Sequence, residues 1–138
     1  MQDDFDLCLV LNTQMAARAI TRNADRRFRP FGITAAQFNI LGMLEKNPDR
    51  SISSMAQKLA MERTTLSRNL ALLDRRGLAE ALPGEGVTAR IYAITPAGKA
   101  VFDAALPEWR QSQSELREAF GEQGFIEIIG RLRDIAKL

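Results

Sequence analysis

Apolar residues recur at helical spacing over most of this chain, and the periodic stretches break at proline, glycine and capping residues. From Asp3 to about Arg29, Leu7, Val10, Leu11, Met15 and Ala19 form an i, i+3, i+4 stripe that predicts one long helix. Asp3, Asp4 and Asp6 stand in its first turns and Arg26, Arg27 and Arg29 at its end, the order a helix dipole favours. Those arginines read as dipole complementation and solvation. Pro30 and Gly32 end the segment. Thr34, with Gln37 three residues on, forms a capping box. The helix it opens runs to about Glu45, turns Phe38, Ile40, Leu41 and Leu44 toward a core, and is broken by Asn47-Pro48-Asp49.

The next stretch, Ser51 to Thr95, reads as helix, turn, helix, hairpin. Ser53 is the expected cap of a short helix whose Ile52, Met55, Ala56 and Leu59 should meet Leu66 and Leu70. A second helix is expected from about Arg63 to Arg76, with Leu66, Leu70 and Leu73 on its buried side. Two short β-like runs follow, Ala79 to Leu82 and Arg90 to Thr95, around a turn bearing Pro83, Gly84 and Gly86. Thr95-Pro96 starts another helix, since the threonine can cap and proline suits the first helical position. That helix should reach about Phe120, carrying Val101, Phe102, Leu106, Trp109 and Leu116, with a kink or opening at Pro107. After a break at Gly121 to Gly124 comes a last helix, about Glu122 to Ala136, with Phe125, Ile126, Ile128, Ile129, Leu132 and Ile135.

The expected architecture is mainly α with a small β-hairpin wing: a winged helix-turn-helix of six helices in one domain, residues 1–138. The terminal helices carry more apolar surface than a small monomer can hide. Two copies packed about a two-fold axis would cover it, so residues of about 1–30 and 100–138 are expected to dimerise and about 33–96 to form the winged part.

Composition narrows the function mainly by exclusion. The chain has 138 residues, no histidine and one cysteine, Cys8. Ser-His-Asp triads, Cys-His pairs and the usual zinc sites therefore lack essential members, and neither enzymatic activity nor a cofactor is expected. Gly84-Glu-Gly86 has neither the third glycine nor the following helix of a dinucleotide fingerprint. No run approaches the length of a membrane span, and the acidic start lacks a secretory n-region, so the expected location is the cytoplasm. Net charge is only +2. Any nucleic-acid contact must come from the placement of a few arginines.

That placement is visible on the Arg63–Arg76 helix. Thr64, Arg68, Ala71 and Arg75 fall opposite the leucines, flanked by Ser67, with no carboxylate among these positions. Short hydroxyls near the N-terminal end and arginine beyond suit a helix that enters the major groove. An ordinary amphipathic helix with a polar face would show a similar pattern. A hairpin joined directly to such a helix, with Arg90 beside its turn, has the layout of a wing that follows phosphates or the minor groove. The candidate contacts with double-stranded DNA are Arg63, Thr64, Thr65, Ser67, Arg68, Arg75 and Arg90. Arg68 is the foremost base reader, Arg75 a phosphate ligand and Arg90 a probe of the backbone or minor groove.

The runs Gly32-Ile-Thr-Ala-Ala-Gln-Phe38, Arg63-Thr-Thr-Leu-Ser-Arg68, Asp74-Arg-Arg-Gly-Leu78 and Ile94-Thr-Pro-Ala-Gly98, in this order and spacing, resemble the multiple-antibiotic-resistance-regulator (MarR) family of winged-helix regulators. The resemblance covers essentially the whole chain. It implies a homodimeric transcriptional regulator, a repressor on a pseudo-palindromic operator, released by a small aromatic or acidic ligand. It also implies an effector pocket between the dimer helices and the winged part, here drawn with Met15, Arg18, Phe38, Met43 and Trp109. Relatives commonly carry an acidic-arginine pair at the wing tip, whereas this chain has Gly86-Val87-Thr88 and only Arg90 nearby. Some relatives sense peroxide through a cysteine near the start of the first helix. Asp4 and Asp6 beside Cys8 are anionic and no neighbour is an evident thiolate activator, which favours a structural cysteine. Two rival readings are a winged-helix dimer serving as a protein-interaction module and a Cys8-based redox-sensing regulator.

Overall fold

The computed structural model describes residues 3–47, 50–83 and 90–138. Six α-helices, α1 (Leu9–Phe28), α2 (Ala35–Lys46), α3 (Ile52–Leu59), α4 (Arg63–Arg75), α5 (Pro96–Phe120) and α6 (Glu122–Ala136), are joined by a three-stranded antiparallel sheet and two 3-10 turns. Strands β2 (Ala79–Pro83) and β3 (Arg90–Ile94) form the expected hairpin, with Ala81 opposite Tyr92 and Pro83 opposite Arg90. A strand absent from the sequence expectation, β1 (Arg50–Ser51), adds to the other edge of β3. It ties the start of the helix-turn-helix to the wing.

Two boundaries differ from those expected. The N-terminal stripe is not one helix, because Phe5–Leu7 is a 3-10 turn and Cys8 is extended, with φ −67° and ψ 120°. Local polar groups stabilise the interruption: Asp4 accepts from the Asp6 N–H, and the Asn12 amide donates to the carbonyls of both Asp6 and Cys8. Cys8 becomes the cap of α1, its Sγ 3.5 Å from the Leu11 nitrogen. The cap of α3 is Ser51 rather than Ser53, since β1 holds Ser51 extended and its hydroxyl accepts from the Ser54 N–H at 3.2 Å. Pro107 lies inside α5, which runs from Pro96 to Phe120. Elsewhere the capping signals hold. Thr34 and Gln37 form the reciprocal box at 3.1 Å each way, and Thr95 caps α5 ahead of Pro96.

The core lies between α2, α3, α4 and the sheet, where Ile40, Leu41, Leu44, Met55, Leu66, Leu70 and Leu73 are fully buried. A column of rings extends it: Phe28 of α1 stacks on Phe38 of α2 at 4.4 Å, and Phe38 on Phe102 of α5 at 4.9 Å. Gly42 admits Phe102 closely, since a β-carbon there would stand 3.1 Å from the ring. Lys99 of α5 bonds to Glu45 of α2 and to Asp103, and these hydrogen bonds hold its ammonium above the ordinary lysine pKa. The terminal elements contrast with this core. Phe28 is the one residue of α1 that is buried, and Phe125 the one of α6. Leu7, Leu9, Val10, Met15, Ile20, Phe120, Ile126 and Leu132 remain exposed.

Candidate nucleic-acid interface and the adjoining cavity

The helix-turn-helix is set by a short turn. At Ala60 the backbone turns left-handed, with φ 50° and ψ 42°, and the N–H groups of Ala60 and Met61 close back on the carbonyls of Gln57 and Ala56. Left-handed backbone ends helices readily, although glycine rather than alanine is its usual occupant. The chain re-enters helix at Glu62, whose extended backbone caps α4 without any side-chain hydrogen bond. The first turn of α4 therefore presents Arg63, Thr64 and Thr65 to solvent beside backbone N–H groups that no capping side chain covers.

Burial divides α4 cleanly. Leu66, Leu70 and Leu73 are each 0% exposed, while Thr64, Arg68 and Arg75 are exposed. At about 100° per residue Thr64, Arg68 and Arg75 lie within about 40° of one another, along about 16 Å of helix. Arg63 and Thr65 flank that line on either side, and Ser67 is half-buried. The three positions opposite the leucines thus share one outward face that carries two guanidiniums and a hydroxyl. Arg90 opens β3 opposite Pro83, which puts its backbone at the outer end of the hairpin. Its side chain and the tip, residues 84–89, lie outside the described residues, as does the expected departure at Gly86-Val87-Thr88.

Two further contacts fix α4 in place. Arg76, its C-terminal cap, donates to the Gly32 carbonyl at 2.5 Å, reaching the turn that follows α1. Past α4, the Gly77 carbonyl accepts from the Thr95 hydroxyl at 2.5 Å and the Leu78 carbonyl from the Thr95 N–H at 3.2 Å, so α5 starts against the base of the hairpin.

Between α1, α2 and α5 lies a cavity of about 540 Å³, lined among others by Asn23, Arg27, Phe28, Phe38, Asn39, Trp109, Gln113 and Glu115. Of the five residues expected around an effector pocket, Phe38 and Trp109 line it and Met15, Arg18 and Met43 do not. Arg18 and Arg27 are nine residues apart, which places them on opposite sides of α1 at about 100° per residue. Met15 and Arg18 are exposed, and Met43 is half-buried against the core. Arg27 is the basic group sequence reasoning missed. Rather than only complementing the dipole, it pairs with Glu108 at 3.5 Å and with Glu115, both on α5, and donates from Nε to Asn23 at 3.1 Å. The i, i+4 spacing of Asn23 and Arg27 was readable, whereas partners more than eighty positions away were not.

Among the described residues no cluster of three or more His, Cys, Asp or Glu could hold a metal ion, and no helix is long and apolar enough to cross a membrane. The outward α4, its short turn and the attached hairpin define a winged helix-turn-helix protein. The MarR family profile matches residues 31–86. The crystal structure of the transcriptional regulator MosR of M. tuberculosis superimposes with a TM-score of 0.84 at 32% identity over 97% of this chain and 98% of MosR. A second MosR structure, in complex with DNA, gives 0.79 at 30% identity over 95% and 99%. The HTH-type transcriptional regulator YwoH of Bacillus subtilis is 23% identical over 120 residues, 83% of this chain and 84% of YwoH. The chain belongs to the MarR family, whose members are transcription regulators rather than enzymes.

Proposed function

We propose that the protein is a homodimeric, cytoplasmic repressor that binds a pseudo-palindromic DNA site through α4 and is released by a small molecule. The observation that carries DNA binding is the outward face of α4, where Thr64, Arg68 and Arg75 are exposed opposite three leucines at 0%. Arg68 reads a base edge, Thr64, Thr65 and Ser67 contact bases or phosphates, Arg63 and Arg75 hold phosphates, and Arg90 follows the backbone beside the wing. MosR, a relative over nearly the whole chain, has been crystallised with DNA, which supports the same partner here.

Assembly follows from what the single chain leaves uncovered. Val10 is 64% exposed, Ile126 53% and Leu132 46%, on helices that contribute almost nothing to the core. A second copy related by a two-fold axis would bury these faces and place two α4 helices about 34–36 Å apart, one turn of duplex. The dimerising parts are the two ends of the chain, about 1–30 and 100–138, and the DNA-binding part about 33–96. The cavity between α1, α2 and α5 joins the two parts, so a molecule lodged there can shift one against the other.

Titrating the protein against the DNA upstream of its own gene at 50 and 200 mM salt tests this reading. Specific binding that falls steeply with salt supports it, because neutralised phosphates release counterions. No binding even at low salt would refute it and favour a protein-interaction module.

A further inference from the structure

We propose that the α1–α2–α5 cavity takes a planar aromatic cation and disfavours aromatic carboxylates. The inference rests on reading the protein as ligand-responsive and adds the charge of the ligand. Arg27 and Glu115 are the charged side chains among the described residues that line the cavity. The guanidinium is already engaged at all three nitrogens: Nε with the Asn23 amide oxygen, Nη1 with Glu108 and Nη2 with Glu115. Glu115 and Arg27 line the cavity and balance each other, and Glu108, bonded to Arg27 from outside the lining, gives the three-residue cluster a net charge of −1.

A carboxylate ligand would have to displace one of these partners, exchanging one anion for another on the same guanidinium without a gain in charge pairing. A cation meets the opposite balance. The Glu108 and Glu115 side chains are 44% and 48% exposed, which leaves them open to a second partner, and Gln111 steadies the other oxygen of Glu115 at 3.2 Å. The aromatic preference comes from the walls. Phe28 and Phe38, stacked on each other, both line the cavity, and Trp109, 41% exposed, offers an indole that attracts cations through its ring.

The test uses three molecules of nearly one shape: benzamidine, benzamide and benzoate, each titrated into the intact protein by calorimetry, with operator affinity measured in parallel. Benzamidine should bind at least about tenfold more tightly than benzoate, with benzamide between them, since reversing a unit charge beside a net −1 cluster changes the sign of the interaction. Glu115→Gln and Glu108→Gln each neutralise the cluster and should narrow that gap, circular dichroism confirming that each variant is folded. Benzoate binding tightest, equal affinities, or no binding of any of the three would overturn the proposal. If that happens while the protein still holds its operator, the DNA-binding assignment stands; loss of operator binding by the unmodified protein is the failure of that assignment instead.

Discussion

Replacing Gly98 with alanine perturbs the joint that seats α5 against the hairpin. A β-carbon at this position would stand 1.9 Å from the Leu78 carbonyl oxygen and 2.9 Å from Ile94 Cγ1. Carbon and oxygen approach no closer than about 3.3 Å, even in favourable C–H···O contacts, so α5 and the segment after α4 must separate by more than about 1 Å. The Leu78 carbonyl also accepts from the Thr95 N–H at 3.2 Å, and that bond is strained by the same movement. Overpacking of this kind costs about 1–3 kcal/mol and a weakened backbone hydrogen bond about 1 kcal/mol. Against them stands about 1 kcal/mol of helix propensity gained from alanine. The net expectation is a loss of about 1–3 kcal/mol. Gly124 supplies the control, because it is the third residue of α6 as Gly98 is of α5, and its β-carbon would meet Phe120 Cβ at an ordinary 3.7 Å. Gly124→Ala should be neutral or stabilising by up to about 1 kcal/mol. Urea unfolding followed by circular dichroism, at one fixed protein concentration so that dissociation of the proposed dimer would affect both variants alike, compares the two. If Gly98→Ala is as stable as the parent protein, the close approach of α5 to Leu78 is not as described.

Three other substitutions address separate parts of the account. Leu70→Ala empties a site that is 0% exposed and should cost about 2–5 kcal/mol in denaturant unfolding. Ala60→Gly relieves the left-handed backbone of the helix-turn-helix, φ 50°; a gain of up to about 1 kcal/mol is expected, the removed strain being partly offset by glycine's entropy. Leu132→Glu puts a charge on an exposed face of α6 and should yield a folded monomer by analytical ultracentrifugation, whereas an unchanged dimer would move the interface elsewhere.

The parts of the fold legible in the sequence are those fixed by local chemistry. The buried side of α4 follows from leucines at 66, 70 and 73, and the starts of α2 and α5 from Thr34 with Gln37 and from Thr95 with Pro96. Strand β1 has two residues, too few for any periodicity, and exists only because β3 offers an open edge. The interruption at Cys8 hides inside an uninterrupted apolar stripe, since what ends the helix is the Asn12 amide reaching two carbonyls rather than a proline or glycine. The outward face of α4 was readable because a helix face depends on spacing alone. The cavity was not, because Arg27 and Glu115 meet across 88 positions of sequence. Of the residues expected around an effector pocket, Arg18 stands on the side of α1 opposite Arg27, and Met15 lies one turn before Ala19, outside the cavity lining.

The central claim is that the outward face of α4 reads DNA, and Arg68 is its most direct test. Operator affinity of Arg68→Ala should fall by about 1–3 kcal/mol if the guanidinium grips a guanine, with discrimination lost at one base pair of each half-site. A uniform weakening across all sequences would make Arg68 a phosphate contact. Affinity and specificity both unchanged from the parent protein would contradict the account.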